Sequence, residues 1–99
     1  MTYELDPLAT KLFRHLLKLR LPVGIDIEPS PFFAKESTEV KLFTANRIDK
    51  WSVKIYFAKG KHIGSYLFIQ YSYYPLDEIK PTSDFKKLTK DILRVINRR

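Results

Sequence analysis

Three charged residues in two neighbouring strand-like segments have the types and spacing needed to bind a magnesium ion. Asp26 lies in the alternating segment 23–28, and Glu39 and Lys41 stand two residues apart at the start of the next segment. Carboxylate oxygens are the hard ligands that Mg²⁺ prefers, and a lysine beside them can polarise an attacking water or a phosphate. If the two segments pair as strands, the sequence permits a metal-dependent hydrolytic site.

This arrangement resembles the catalytic skeleton of the PD-(D/E)xK nucleases, in which an Asp and a Glu-x-Lys lie on adjacent strands. The resemblance implies Mg²⁺-dependent cleavage of a nucleic acid. The stretch Glu39-Val40-Lys41 is also typical of an ordinary solvent-exposed strand, because polar residues alternate with apolar ones there. The helix and strand that normally follow in that fold are missing here. A nuclease is therefore the third of three hypotheses for this chain.

Other catalytic and metal-binding chemistries lack the residues they need. The chain has no cysteine, which excludes disulfides, thiolate zinc sites and cysteine nucleophiles. Its two histidines, His15 and His62, are far apart in sequence, and neither has the carboxylate and hydroxyl neighbours of a triad. Three glycines cannot build a glycine-rich phosphate loop. We therefore expect no catalytic residue, metal or cofactor, and favour a binding role over an enzyme.

Charge and composition predict an intracellular domain with a polyanionic partner. The 99 residues suffice for one domain, and the 44% hydrophobic content is too high for a disordered chain. No apolar run approaches the roughly 18 residues that suggest a membrane span, and the N-terminus does not resemble a secretory signal. A net charge of +7 is typical of nucleic-acid binders. Labile residues such as Cys, Met, Asn and Gln are scarce, which fits a thermophilic source.

The pattern of apolar residues predicts a single α+β domain over residues 1–99, with a helix at each end. The first helix is capped by Asp6, opens at Pro7 and ends before Pro22. The second begins at Ser83 or Asp84 and runs to the C-terminus. Strands are predicted at 23–28, 39–45, 51–58 and 62–73. This order (α-β-β-β-β-α) predicts an antiparallel sheet of three to four strands flanked by the two helices.

Both predicted helices carry basic stripes of one sign. The first helix has no acid after its cap, and the second has only Asp91 against its lysines and arginines. Like charges one helical turn apart destabilise a helix by a few tenths of a kcal/mol, so an anionic partner would explain why they are tolerated. Lys59-Gly60-Lys61 is predicted to turn the chain between strands 51–58 and 62–73, which makes a hairpin with a basic tip. The stripes and this hairpin tip give the expected nucleic-acid-binding residues: Lys11, Arg14, Lys18, Lys59, Lys61, Lys86, Lys87, Lys90, Arg94 and Arg98.

Several short stretches resemble the double-stranded RNA-binding domain. They are Asp6-Pro7, Leu21-Pro22, Val53-Lys54-Ile55-Tyr56-Phe57, Gly60-Lys61, Ile63-Gly64 and Lys86-Lys87-Leu88-Thr89-Lys90. The resemblance implies that the lysines of the second helix clamp phosphates across a major groove, while the first helix and the loop between the first two strands enter minor grooves. The chain departs from the family at Leu93 and Arg94, where the family has an alanine pair.

The long predicted strand 62–73 is apolar or aromatic on both faces. If both helices cover one face of the sheet, the other face exposes Tyr56, Tyr66 and Phe68 beside Lys54. Such a surface can be buried in a homodimer or can stack bases, and dimer burial is the commoner use. A homodimeric interaction or structural module is therefore the second hypothesis. The first is a duplex-binding domain that contacts the phosphate backbone of RNA or DNA through its basic stripes.

Overall fold

Two helices and five strands make up the computed structural model, which describes residues 4–30, 36–44 and 50–98. In chain order they are α1 (Pro7–Lys18), β1 (Gly24–Pro29), β2 (Thr38–Phe43), β3 (Trp51–Ala58), β4 (Lys61–Ile69), β5 (Ser72–Pro75) and α2 (Phe85–Asn97). The strands form one antiparallel sheet in the order β1-β2-β3-β4-β5. The predicted α+β architecture is confirmed, and the sheet has five strands within the described residues rather than three or four.

The strand predicted over 62–73 is divided in two by a tight turn. Gln70 and Tyr71 have φ angles of 49° and 67°, and β4 pairs with β5 across them. Lys59 and Gly60, with φ angles of 54° and 74°, join β3 to β4 in the same way. Two-residue loops with positive φ at both positions match the twist of the flanking strands. Gln and Tyr rarely adopt positive φ, so the sequence carries no signal for the second turn.

Both helices pack on the same face of the sheet, which we call the inner face. Successive strand residues point to opposite faces, so Val53 and Ile55 of β3 share the inner face with Val40 and Leu42 of β2. These residues form one buried core with side chains from each helix: Ala9, Leu12 and Leu16 of α1, and Leu88, Ile92, Val95 and Ile96 of α2. The opposite face of the sheet, the outer face, carries no helix from the described residues.

Asp6 ties α1 to the sheet. One of its carboxylate oxygens accepts hydrogen bonds from the backbone N–H groups of Leu8 and Ala9, at 2.9 and 3.2 Å, and so caps the helix. The other accepts from the N–H of Gly60 in the β3-β4 turn, at 2.7 Å. The Asp6 N–H donates to the Thr38 hydroxyl at 2.9 Å. The side chain that starts the helix therefore also holds the hairpin tip against it.

Candidate nucleic-acid interface

The ten basic residues predicted from the sequence to bind nucleic acid are all exposed, and we call them together the helix-side surface. On α1, Lys11, Arg14 and Lys18 follow helical spacing on the side opposite the buried Leu12 and Leu16. On α2 the members are Lys86, Lys87, Lys90, Arg94 and Arg98. Because both helices bury their apolar sides against the inner face, both stripes point away from the sheet on the same side of the domain.

The two stripes are adjacent where α2 begins. The Lys11 ammonium lies 4.3 Å from the centre of the Phe85 ring, and the His15 ring meets the same ring edge-on at 5.4 Å. A lysine over an aromatic face is attracted by the ring's negative quadrupole. The His15 ring therefore borders the junction between the two helices.

The hairpin tip adds Lys59 and Lys61 at the end where both helices start. Between them, the Gly60 N–H donates a hydrogen bond to Asp6, the N-cap of α1. The N–H of His62 donates to the carbonyl of Thr82, just before α2, at 3.2 Å. These contacts place the tip beside the first turns of α1 and α2. The cationic surface therefore extends from the helix layer onto one end of the sheet.

Two of the ten basic residues have acidic partners. Arg94 lies 3.5 Å from the largely buried Asp91, and Arg98 contacts Glu78. Within the described part of the chain, the other eight have no carboxylate within ion-pair distance. The acid at the start of α2, Asp84, accepts hydrogen bonds from the backbone N–H groups of Lys86 and Lys87. Most of the positive charge on this surface is therefore available to an anionic partner.

The outer face differs from the sequence prediction at two tyrosines. Tyr56 was expected to be exposed, but only 6% of its surface is accessible. Its hydroxyl is hydrogen-bonded to the buried carboxyl group of Glu39. In one unbroken strand over 62–73, Tyr73 would point to the face opposite to Phe68, because side chains alternate along a strand. The two-residue turn instead pairs Tyr73 with Phe68 on the same face, and their ring centres are 4.7 Å apart. Tyr66 and Phe68 are half-buried on the outer face, as parts of an aromatic cluster that includes Tyr73.

Charged groups on the outer face are interleaved with these rings. The Lys54 ammonium donates a hydrogen bond to the Tyr73 hydroxyl at 3.0 Å and lies 3.9 Å from the Glu39 carboxylate. Burial raises the pKa of Glu39, an effect that Tyr56 and Lys54 oppose and that neighbouring Glu28 adds to. Burial also raises the pKa of Tyr56, so its hydroxyl keeps its proton at neutral pH.

The three residues of the Asp and Glu-x-Lys pattern lie on the outer face. Asp26 is the cross-strand partner of Lys41, and Glu39 is the partner of Glu28. The Glu39 carboxyl group is hydrogen-bonded to Tyr56 and lies 3.9 Å from the Lys54 ammonium, so it already has two partners in the fold. No cluster of three or more His, Asp or Glu side chains suited to a metal occurs within residues 4–30, 36–44 and 50–98.

Comparison with protein-family models, with curated proteins and with solved structures finds no match to this chain. Among the described helices, none combines the length and the apolar character required to cross a bilayer. Function must therefore be argued from the two surfaces themselves.

Proposed function

We propose that the domain binds duplex RNA or DNA by contacting its phosphate backbone with the helix-side surface. The observation that carries this proposal is that the two basic stripes point to the same side of the domain. Of the ten basic residues in the helix-side surface, eight have no acidic partner among the described residues. A helix surface that serves only solubility usually carries both positive and negative side chains, because opposite charges one turn apart stabilise a helix. A cationic surface of one sign instead suits a polyanion.

The dimensions of the stripes fit several phosphates. At 1.5 Å per residue, Lys11 to Lys18 span about 10 Å, and Lys86 to Arg98 span about 18 Å. Phosphates follow one another every 3.4 Å along the axis for each strand of a duplex. Each stripe can therefore contact more than one phosphate, and the hairpin tip offers a further contact. The similarity of the α2 lysines to the cluster of the double-stranded RNA-binding domain supports the same assignment.

The test compares two triple variants that change the net charge equally. Lys86→Glu/Lys87→Glu/Lys90→Glu alters α2, whereas Lys41→Glu/Lys50→Glu/Lys80→Glu alters lysines outside the helix-side surface. Fluorescence anisotropy with labelled RNA and DNA duplexes at low salt measures the affinity. We expect the α2 variant to lose duplex binding and the control to retain most of it. Equal losses in both variants, or no binding by the unaltered protein, would overturn the proposal.

A homodimer formed through the outer face and β5 is the second candidate. The observation in its favour is the exposure of three tyrosines, which are 95% (Tyr71), 53% (Tyr73) and 52% (Tyr74) accessible. Exposed aromatic clusters commonly mark interfaces. Light scattering tests it: a dimer that Tyr66→Glu or Phe68→Glu dissociates supports this candidate, and a monomer at all concentrations rejects it.

A further inference from the structure

A cleft of about 600 Å³ opens on the outer face, on the side of the sheet opposite the helix-side surface. Its walls and floor include Lys41, Phe43, Lys50, Ser52, Lys54 and Phe68. The volume lies within the range of small-ligand sites, roughly 300–1,000 Å³. Aromatic rings and lysines thus meet around one cavity that the proposed duplex-binding surface does not use.

The register of the strands separates the two phenylalanine rings by a small residue. Phe43, Ser52 and Phe68 are cross-strand neighbours on β2, β3 and β4. Because adjacent strands lie about 4.8 Å apart, the backbones that carry the rings are about 10 Å apart. The Phe43 ring lies over Gly24, where an added Cβ would be 2.4 Å from it, and the Phe68 ring contacts Tyr73. Ser52 therefore forms the floor between two rings that lean away from it.

Lysines stand on both sides of this floor. Lys50 and Lys54 are two residues before and after Ser52, which places each about 7 Å away along the strand. Lys41 is the cross-strand partner of Lys54. The ammonium groups of Lys41 and Lys54 lie 5.1 and 5.4 Å from the ring centres of Phe43 and Phe68.

The charge balance of the cleft is positive. None of its described lining residues is acidic. The Lys54 ammonium also lies 3.9 Å from the Glu39 carboxylate, which is outside the lining of the cleft. Lys41 lies between Asp26 of β1 and Lys54 of β3 on this face, so the two lysines are cross-strand neighbours. A ligand that suits the cleft has a flat apolar group for the rings and negative groups on either side of it.

We propose that this cleft binds single-stranded nucleic acid, with one unpaired base over Ser52 between Phe43 and Phe68. The flanking phosphates of the strand meet Lys50 on one side and Lys41 and Lys54 on the other. Stacking on aromatic side chains combined with a positively charged groove is the general way in which proteins hold unpaired strands. A duplex does not fit, since its bases are stacked on one another and unavailable to the rings.

A strand fits the cleft better than a free nucleotide does. The aromatic surface of the cleft continues beyond Phe68 to Tyr73 and Tyr66, where the next base can stack. The described lining supplies neither a glycine-rich loop nor a helix N-terminus to enclose a terminal phosphate. Affinity must therefore come from several contacts along a chain.

The experiment titrates the protein with a ten-residue oligothymidine and with a strand of the same length that lacks bases. Anisotropy of fluorescently labelled strands gives the affinity. We expect the strand without bases to bind roughly 5- to 100-fold more weakly, since it retains the charge and loses the stacking. Equal affinity for the two strands would overturn the proposal. So would stronger binding of thymidine monophosphate or polyglutamate than of oligothymidine.

Variants locate the binding in the cleft. Phe68→Leu and Lys50→Glu are expected to weaken oligothymidine binding at least fivefold, whereas Lys80→Glu, which makes the same charge change outside the cleft, leaves it within twofold. Duplex affinity of Phe68→Leu should equal that of the unaltered protein, which shows that the variant is folded. Oligothymidine binding that survives both cleft variants, or that falls equally with Lys80→Glu, would reject the cleft. If the unaltered protein binds oligothymidine but no duplex, the proposed function is rejected and the cleft proposal is not.

Discussion

Replacing Asp6 with alanine should destabilise the fold more than removal of an ordinary helix cap. The loss of the capping hydrogen bonds to Leu8 and Ala9 costs about 1 kcal/mol of unfolding free energy. The partly buried N–H of Gly60 also loses its acceptor, which costs about 1 kcal/mol or more. The sum, about 2–3 kcal/mol, is a large share of the roughly 5–15 kcal/mol that stabilises a typical domain.

Asp84 is the matched control, because it caps α2 in the same way but is exposed and holds no other element in the described structure. Asp84→Ala should cost about 1 kcal/mol. Asp6→Asn isolates the second contribution: asparagine caps as well as aspartate, but it has one acceptor oxygen and cannot also accept from Gly60. Its cost should fall between those of the two alanine variants.

Urea unfolding, followed by far-UV circular dichroism and Trp51 fluorescence, gives the free energies of unfolding. We expect Asp6→Ala to be less stable than Asp84→Ala by about 1–2 kcal/mol. If the two alanine variants agree within about 0.5 kcal/mol, or if Asp6→Asn matches the unaltered protein, the hairpin tip is not held by this side chain.

Three further predictions concern packing and protonation. Gly24→Ala should destabilise by about 1 kcal/mol because the Phe43 ring must move, and a double-mutant cycle with Phe43→Leu should show coupling rather than additivity. Burial lowers the pKa of His62 below 6.5, so stability should fall as the pH drops below 6.5, and His62→Gln should reduce that fall in urea titrations from pH 7 to 5. Burial raises the pKa of Glu39 above 4.5, so its neutral form stabilises the fold below pH 4.5 and that stabilisation is lost as the pH rises. Glu39→Gln should therefore gain stability relative to the unaltered protein between pH 4 and 7, and a pH-independent difference would contradict this.

The terminal helices follow directly from the sequence. Asp6 before Pro7 predicts the cap that α1 has, and the predicted start of the second helix at Ser83 or Asp84 lies within two residues of Phe85, where α2 begins. The apolar alternation of β3 likewise predicts its bounds, Trp51–Ala58. These elements depend on interactions between residues close in sequence, which a pattern of side-chain types can reveal.

The composition of the outer face could not be predicted in the same way. It depends on the turn at Gln70 and Tyr71, which lacks the usual Gly or Asn and reverses the direction of Tyr73. It also depends on the register of β2 with β3, which brings Lys41 beside Lys54 from distant parts of the chain. The sequence also does not reveal that both basic stripes lie on the same side of the domain, because this depends on which face of the sheet each helix covers. The strand register and the packing of the helices are long-range properties, and the turn lacks the residues that usually mark one.

The most direct test of the account is the salt dependence of duplex binding. If six members of the helix-side surface each contact a phosphate, the logarithm of the association constant should fall with the logarithm of salt concentration with a slope of about −5.4. A fourfold rise in salt would then weaken binding about 1,800-fold, against about fortyfold after Lys86→Glu/Lys87→Glu/Lys90→Glu removes three contacts. We predict that the slope is halved in this variant and unchanged in Lys41→Glu/Lys50→Glu/Lys80→Glu. A slope near zero in the unaltered protein, or one that the α2 substitutions leave unchanged, would contradict the proposed function.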